Sequence, residues 1–185
     1  NFKNIYRTQR AKLPFGISQI GKSFRNEITP GNFIFRTREF EQMELEYFCF
    51  KEEADVIFET LFNKVKYFLN NYCLIKNNHL NFHEQTKDEL AHYSTRTIDV
   101  QYDFPHGMSE LWGIANRTDH DLKKHMEFSK QDLTYLDENT HNKVIPYVIE
   151  PSVGVERLLY AICCDAYDVQ KLQDDDNRVV LHFAN

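Results

Sequence analysis

The stretch Val148-Ile149-Glu150-Pro151-Ser152-Val153-Gly154-Val155-Glu156-Arg157-Leu158-Leu159-Tyr160-Ala161 decides the fold, because it leads from a buried strand into a buried helix. Apolar residues 144–149 predict the strand, and Pro151 is expected to end it, since proline lacks an N–H and fixes φ. Apolar residues then recur at helical spacing from Val155 to Ala166. Gly154 allows a tight turn or the close approach of a ligand. The charged residues at this junction need partners or a ligand, so an ordinary surface turn and a functional site both remain open here.

Two upstream segments carry arginines and carboxylates in the pattern of a β-hairpin. Ser23-Phe24-Arg25-Asn26-Glu27 and Phe35-Arg36-Thr37-Arg38-Glu39-Phe40-Glu41-Gln42-Met43-Glu44 flank a turn signal at 29–32, and the predicted strands end at Glu27 and begin near residue 34. The two-residue period places Gln42, Glu44 and Glu46 on one face and the apolar side chains on the other. That charged face is compatible with simple solvation. Arginine forks beside carboxylates also suit a ligand with an anionic and a cationic end, such as ATP with an amino acid.

These segments resemble motifs 2 and 3 of the class II aminoacyl-tRNA synthetases, and the wording is most similar to the homodimeric glycyl-tRNA synthetases. The resemblance rests on segments 25–27, 36–44, 110–119 and 150–157, which occur in that order, and it covers Leu13–Phe48 and Phe104–Tyr167. It implies a class II core, a glycine–tRNA ligase activity, ATP as substrate and Mg²⁺ as cofactor. It also implies glycine and tRNA(Gly) as partners and a homodimer of the full-length protein.

The resemblance further implies a nucleotide site. Arg25 and Arg157 would be catalytic, with Arg25 on the α-phosphate and the glycine carboxylate. Phe40 would stack on the adenine with Arg157 against the other face of the base, and Glu110 would hold Mg²⁺. Glu27 would meet the adenine amino group. The implied ATP-binding residues are Arg25, Asn26, Glu27, Phe35, Arg36, Thr37, Arg38, Glu39, Phe40, Glu110, Leu111, Gly154, Val155, Glu156 and Arg157.

A glycine pocket is implied beside the nucleotide. Glycine has no side chain to hold, so its pocket must reject larger residues and pair with the ammonium. Glu44 and Glu150 are the candidates for the ammonium, with Gln42 assisting. Ser152 is expected to close the pocket, and capping of the following helix is an equally open reading of it. The implied glycine-binding residues are Phe40, Glu41, Gln42, Met43, Glu44, Glu150, Pro151, Ser152, Val153 and Gly154.

Hydrophobic periodicity predicts the elements around the motifs. Residues 52–72 predict a helix with a stripe at Ile57, Leu61, Val65, Phe68 and Tyr72. Residues 97–104 alternate as a strand, and residues 108–115 predict another with Glu110 and Trp112 on one face. The other expectations are a capping box at 86–89 before a short helix at 90–93, a cap at Thr118 for a helix at 119–129, a hairpin of 133–135 with 144–148, an acidic turn at 173–177 and a strand at 179–183. Residues 1–12 fit either a helix end or a strand.

These elements predict an α+β fold with a largely antiparallel sheet flanked by helices. The sequence does not favour a Rossmann fold, because no GxGxxG segment follows a strand, and it contains no GxxxxGK[ST] phosphate loop. We expect residues 1–170 to be a class II catalytic core that lacks motif 1. Residues 171–185 are expected to be a linker and the start of a truncated anticodon-binding domain. Such a fragment is expected to be weakly active or inactive by itself.

Composition limits the functions that remain. The chain has 185 residues, 42% apolar and 14% aromatic, which is typical of a folded globular protein. No apolar run approaches the roughly 20 residues of a membrane helix. The four cysteines show no zinc spacing and no sign of an oxidising compartment, so a cytoplasmic, non-membrane protein is expected. The net charge of −6 is no footprint for nucleic acid, so a tRNA partner rests on the resemblance.

Two other functions compete with a glycine–tRNA ligase. A non-catalytic synthetase-like module would bind RNA or a partner protein, and such modules tend to lose the motif arginines and carboxylates. Their presence at Arg25, Arg36, Glu110, Glu150 and Arg157 favours the enzyme. A ligase with a relaxed pocket for another amino acid stays open.

Overall fold

A six-stranded antiparallel sheet forms the centre of the structure, a computed structural model that describes residues 1–172 and 176–183. The strand order is β1-β2-β8-β5-β4-β3. The predicted α+β class, with an antiparallel sheet flanked by helices, is confirmed. In chain order the elements are α1 (Phe2–Thr8), β1 (Phe15–Phe24), β2 (Glu39–Cys49), α2 (Ala54–Asn71), β3 (Leu80–Glu84), β4 (Arg96–Phe104), β5 (Gly107–Thr118), α3 (His120–Ser129), β6 (Tyr135–Leu136), β7 (Lys143–Val144), β8 (Tyr147–Gly154), α4 (Val155–Ala166), β9 (Tyr167–Lys171) and β10 (Asn177–Leu181).

The strand β8 lies between β2 and β5 and leads directly into α4. It continues through Pro151 to Gly154, so the prediction that Pro151 ends the strand is wrong. Pro151 pairs with Ile114 of β5, whereas the register with β2 skips Glu150 and Pro151. A proline is tolerated in this central strand because the ladder is interrupted on the side where its missing N–H would be needed.

One face of the sheet is covered by α2 and α4. The buried line of α2 runs through Phe58, Leu61, Val65 and Leu69, which join β4, β5 and β8 in the larger core. The predicted stripe is therefore right at Leu61 and Val65 and wrong at Tyr72, which is 67% exposed. The sheet against which α2 packs decides which line of the helix is buried, and the hydrophobic period alone does not show where that line is centred.

The opposite face is covered at one end by a smaller hydrophobic cluster. Phe2 of α1, Leu122 of α3, and the paired Phe48 and Val148 are its buried members. Residues 1–12, for which the sequence left two readings open, thus contain a short helix. The rest of this face stays open along β2 and β8, and that opening forms the candidate site.

Several predicted boundaries change in the structure. The first hairpin strand ends at Phe24 rather than Glu27, and the second begins at Glu39 rather than near residue 34. The bonds of the capping box form, because Glu89 accepts from the N–H of Thr86 at 2.8 Å, but they close a turn and no helix occupies 90–93.

Later segments also depart from expectation. Asp119, not Thr118, precedes α3, and Thr118 has a φ of 57°, so the predicted cap is wrong. The predicted hairpin shrinks to β6 with β7, and β9 pairs with β10. The acidic turn at 173–177 includes residues 173–175, which lie outside the described residues. No helix in the described part of the chain is long and apolar enough to cross a membrane.

Candidate active site

A cleft opens on the exposed face of the sheet, beside the start of α4. It is bounded by β2, β8, β5 and the loop that connects β1 to β2. Every residue that lines the cleft, with the exception of Ile34, belongs to the predicted ATP-binding or glycine-binding set. The predicted residues that line it are Arg25, Glu27, Phe35, Thr37, Phe40, Gln42, Glu110, Leu111, Ser152, Gly154, Glu156 and Arg157.

Arg157 is fixed at the inner end of this cleft by backbone oxygens. Its Nη1 donates to the carbonyl of Glu110 at 2.9 Å and its Nη2 to the carbonyl of Phe35 at 2.7 Å. Burial lowers the pKa of Arg157, and the nearby Glu110 carboxylate opposes that shift. An arginine held by two carbonyls keeps its orientation before any ligand arrives, which is the form of preorganisation that charge stabilisation requires.

Two arginine–aromatic pairs form the walls of the cleft. The Cζ of Arg25 lies 5.0 Å from the centroid of Phe40, and that of Arg157 lies 4.9 Å from the centroid of Phe35. Stacked guanidinium and aromatic planes suit a flat heteroaromatic base. The predicted pairing of Arg157 with Phe40 requires an adenine base between them. In the structure each of the two arginines covers a different ring, Arg25 that of Phe40 and Arg157 that of Phe35.

A β-bulge brings Glu110 into the cleft. The register between β4 and β5 pairs Val100 with Trp112 but Gln101 with Glu110, so Leu111 is an extra residue. Trp112 packs against Phe68 of α2, whereas Glu110 lines the cleft on the other face. The prediction that Glu110 and Trp112 share a face is therefore wrong, because a bulge re-aims a side chain against the two-residue period.

A hydrogen-bonded amide crosses the floor of the cleft. Gln42 donates from Nε2 to the hydroxyl of Ser152 at 2.7 Å and accepts from the hydroxyl of Ser23 at 3.0 Å. Ser152 lies inside β8, and Gly154 is the residue that precedes α4. Ser152 therefore does not cap α4, and the prediction that it closes the glycine pocket is the one that stays.

Three carboxylates meet on the same face, next to the floor. An oxygen from each of Glu44, Glu46 and Glu150 lies within 4.8 Å of the others. Arg117 supplies the positive charge, with its Nη1 3.0 Å from a Glu150 oxygen. Burial, reinforced by the neighbouring carboxylates, raises the pKa of Glu46 to about 8, and burial also raises the pKa of Glu150. The raised pKa values favour retention of a proton within this coupled cluster, which then carries less negative charge than its composition suggests.

Some predicted residues do not present side chains to the cleft. Met43 and Val153 pack in the core, and Pro151 is buried on the face that carries α2. The prediction that their side chains bind glycine is therefore corrected. Asn26, Arg36, Arg38, Glu39 and Glu41 are exposed around the rim, and Val155 starts α4. Hydrogen bonds between side chains and backbone groups hold the rim in place. The Glu156 carboxylate accepts from the N–H of Glu41 at 2.8 Å, and the Nε of Arg38 donates to the carbonyl of Glu27 at 3.1 Å.

Three residues of the site had no predicted role, namely Glu46, Arg117 and Ser23. Glu46 follows Gln42 and Glu44 at strand period, so its face was predictable although its burial was not. Arg117 lies within the quoted segment 110–119, where the only available signal was its charge next to a strand end.

The donor set of the cleft fits Mg²⁺ bound together with a nucleotide. Mg²⁺ is usually held by one or two carboxylates with substrate phosphates and water as the other ligands. Glu110 offers an exposed carboxylate at the cleft, and its Oε2 lies 3.8 Å from the Nη1 of Arg157.

Comparison with known proteins gives a consistent result. The family described as tRNA synthetase class II core domain (G, H, P, S and T) matches residues 1–165. Glycine–tRNA ligase of Malacoplasma penetrans (strain HF-2) is 60% identical over 181 residues, which are 98% of this chain and 39% of the relative. Those of Ureaplasma urealyticum serovar 10 and Acetivibrio thermocellus are 59% and 57% identical, covering 98% and 99% of this chain and 38% and 39% of the relatives. The chain thus spans about two-fifths of the length of these relatives.

Proposed function

We propose, for a chain that belongs to the family of class II tRNA synthetase core domains, that it forms the catalytic core of a glycine–tRNA ligase. The glycine carboxylate attacks the α-phosphorus of ATP, which gives glycyl-adenylate and pyrophosphate. The glycyl group then passes to the 3′-terminal ribose of tRNA(Gly), in a full-length protein that we propose to be a homodimer. The observation that carries the proposal is the shared cleft of Arg25, Glu110 and Arg157, with a carboxylate cluster beside it.

The cleft residues divide the work by charge. Glycine brings its own nucleophile, so no activated serine or cysteine is required, and positioning with charge stabilisation supplies the catalysis. Arg25 holds the α-phosphate and the attacking carboxylate, while Arg36 at the rim holds the outer phosphates. Glu110 would hold Mg²⁺, which neutralises phosphate charge when it is bound. Phe40 and Arg157 hold the adenine between them, and Glu27 accepts from its amino group.

Selection of glycine follows from the floor of the cleft. Glu44 and Glu150 accept the ammonium, while Ser152, already bound to Gln42, closes the space where a larger side chain would lie. A pocket closed in this way rejects alanine because the methyl group has no room. In an apolar pocket that could accommodate the methyl group, the binding free energies of glycine and alanine would differ by only ~1–3 kcal/mol.

Glycine-dependent ATP–pyrophosphate exchange in the full-length protein tests this function. Arg25→Ala and Arg157→Ala should each lower the exchange rate by about a hundredfold or more. The first removes a positive charge from the reacting phosphate, and the second removes the cation that holds one face of the adenine, so that ATP is no longer positioned for attack. Arg178→Ala is the matched control, since Arg178 is exposed in β10 and binds Gln170. Exchange that survives in both cleft variants, or that does not depend on glycine, would contradict the proposal.

A further inference from the structure

The guanidinium of Arg117 is held on three sides. Its Nε and Nη2 donate to the two carboxylate oxygens of Asp121 at 2.6 and 3.1 Å. Its Cζ lies 4.1 Å from the centroid of Tyr93, and its Nη1 is 3.0 Å from Glu150. A bidentate carboxylate contact fixes the plane of the fork, and the aromatic ring covers one face of that plane. Nη1 is thereby left for Glu150.

Two separate segments of the chain bring Asp121 and Tyr93 to Arg117. The turn at Thr118, with its φ of 57°, brings the first turn of α3 back over the end of β5, so that Asp121 reaches Arg117. The loop before β4 brings Tyr93. That loop is tied to β5 at the buried Asn116, whose carbonyl accepts from the hydroxyl of Ser94 and the N–H of Thr95, each at 3.0 Å.

The orientation of Arg117 matters because Glu150 lies among like charges. Burial raises the pKa of Glu150, Arg117 opposes that shift, and Glu44 adds to it. An arginine free to rotate would pair with any of the nearby carboxylates or turn to solvent. Fixed by its neighbours, it stabilises the charged form of Glu150 in one position.

We propose that Asp121 and Tyr93 are positioning residues of the amino-acid pocket: they hold Arg117 in the orientation in which its Nη1 pairs with Glu150 and aims that carboxylate at the glycine ammonium. The proposal rests on the proposed function. It adds two residues from outside the cleft that act on glycine through Arg117. It predicts an effect on glycine that is not shared by ATP, because neither residue lines the nucleotide cleft.

The test measures the KM values for glycine and ATP in pyrophosphate exchange by the full-length protein. Asp121→Asn should raise the glycine KM about tenfold, as the loss of one charge-assisted contact would, and leave the ATP KM within about twofold. The matched control is Asp119→Asn, because Asp119 makes an i,i+4 ion pair with Lys123 at 2.7 Å beside the same helix and does not contact Arg117. Tyr93→Leu should raise the glycine KM, and Tyr93→Phe, which keeps the ring, should raise it less.

The possible outcomes distinguish a failure of the proposed function from a failure of the positioning role of Asp121 and Tyr93. A wild-type protein without glycine-dependent exchange refutes the proposed function. An active wild type whose Asp121→Asn variant keeps its glycine KM refutes the positioning role alone. Equal rises in both KM values, or a fall in Tm with no selective effect on glycine, also refute it, since a purely structural role would produce them. A selective rise in the glycine KM, with Asp119→Asn unchanged, supports it.

Discussion

Replacing Glu46 by glutamine should remove a pH dependence of stability from the protein. Glu46 has a pKa of about 8 in the folded chain, because it is buried beside Glu150 and Glu44, against an ordinary value of 4.5. Between these values the folded state binds more protons than the unfolded state. The free energy of unfolding therefore falls as the pH rises through this window. Glutamine keeps the shape and a hydrogen-bond donor but does not titrate.

The magnitude follows from the size of the window. Each pH unit costs up to about 1.4 kcal/mol of the free energy of unfolding, so three units from pH 5 to pH 8 set a ceiling of roughly 4 kcal/mol. Because Glu150 interacts with Glu46 in the same buried cluster, we expect on the order of 2 kcal/mol. The Glu46→Gln variant should match the wild type near pH 5 and exceed it at pH 8.

Denaturant unfolding of the full-length protein at pH 5, 6, 7 and 8 measures this difference. Glu52→Gln is the control, since Glu52 is exposed in the turn that follows β2. A difference between Glu46→Gln and wild type that stays constant over the four pH values would show that Glu46 does not bind a proton on folding. The carboxylate cluster would then not raise the pKa of Glu46 as described.

Two further predictions concern the core and the length of the chain. Phe58→Ala, which empties a fully buried position between α2 and the sheet, should lower the free energy of unfolding by about 3–5 kcal/mol in denaturant titration, whereas the same change at the exposed Phe128 should cost less than about 1 kcal/mol. The isolated 185-residue chain should charge tRNA(Gly) far more slowly than the full-length protein in an aminoacylation assay, and charging at a similar rate would contradict its role as a core fragment.

The cleft could be predicted where motif residues follow one another along a single element. Phe40 and Gln42 of β2, and Ser152 and Gly154 of β8, alternate at strand period, so all four residues line the same face of the sheet. The antiparallel sheet followed in the same way from the hairpin pattern. Local spacing was sufficient here because the face that a residue occupies depends only on its position within its own strand.

The errors arose where a neighbouring strand decides the outcome. Glu110 was placed on the wrong face because the bulge at Leu111 depends on the register with β4, which no local pattern reveals. Pro151 was read as a strand end because the interruption of the ladder to β2 lies in another segment. Glu46 was left out of the site for a similar reason, since its burial depends on Glu150 and Arg117.

The central position of β8 has a consequence for insertions and deletions. One edge of β8 binds β2 and the other binds β5, which lie far apart in the sequence. A single added or deleted residue in β8 would shift both registers at once and turn Ser152 towards α2. Length changes among relatives are therefore expected to fall in surface connections such as residues 137–142, where extra residues disturb no shared strand.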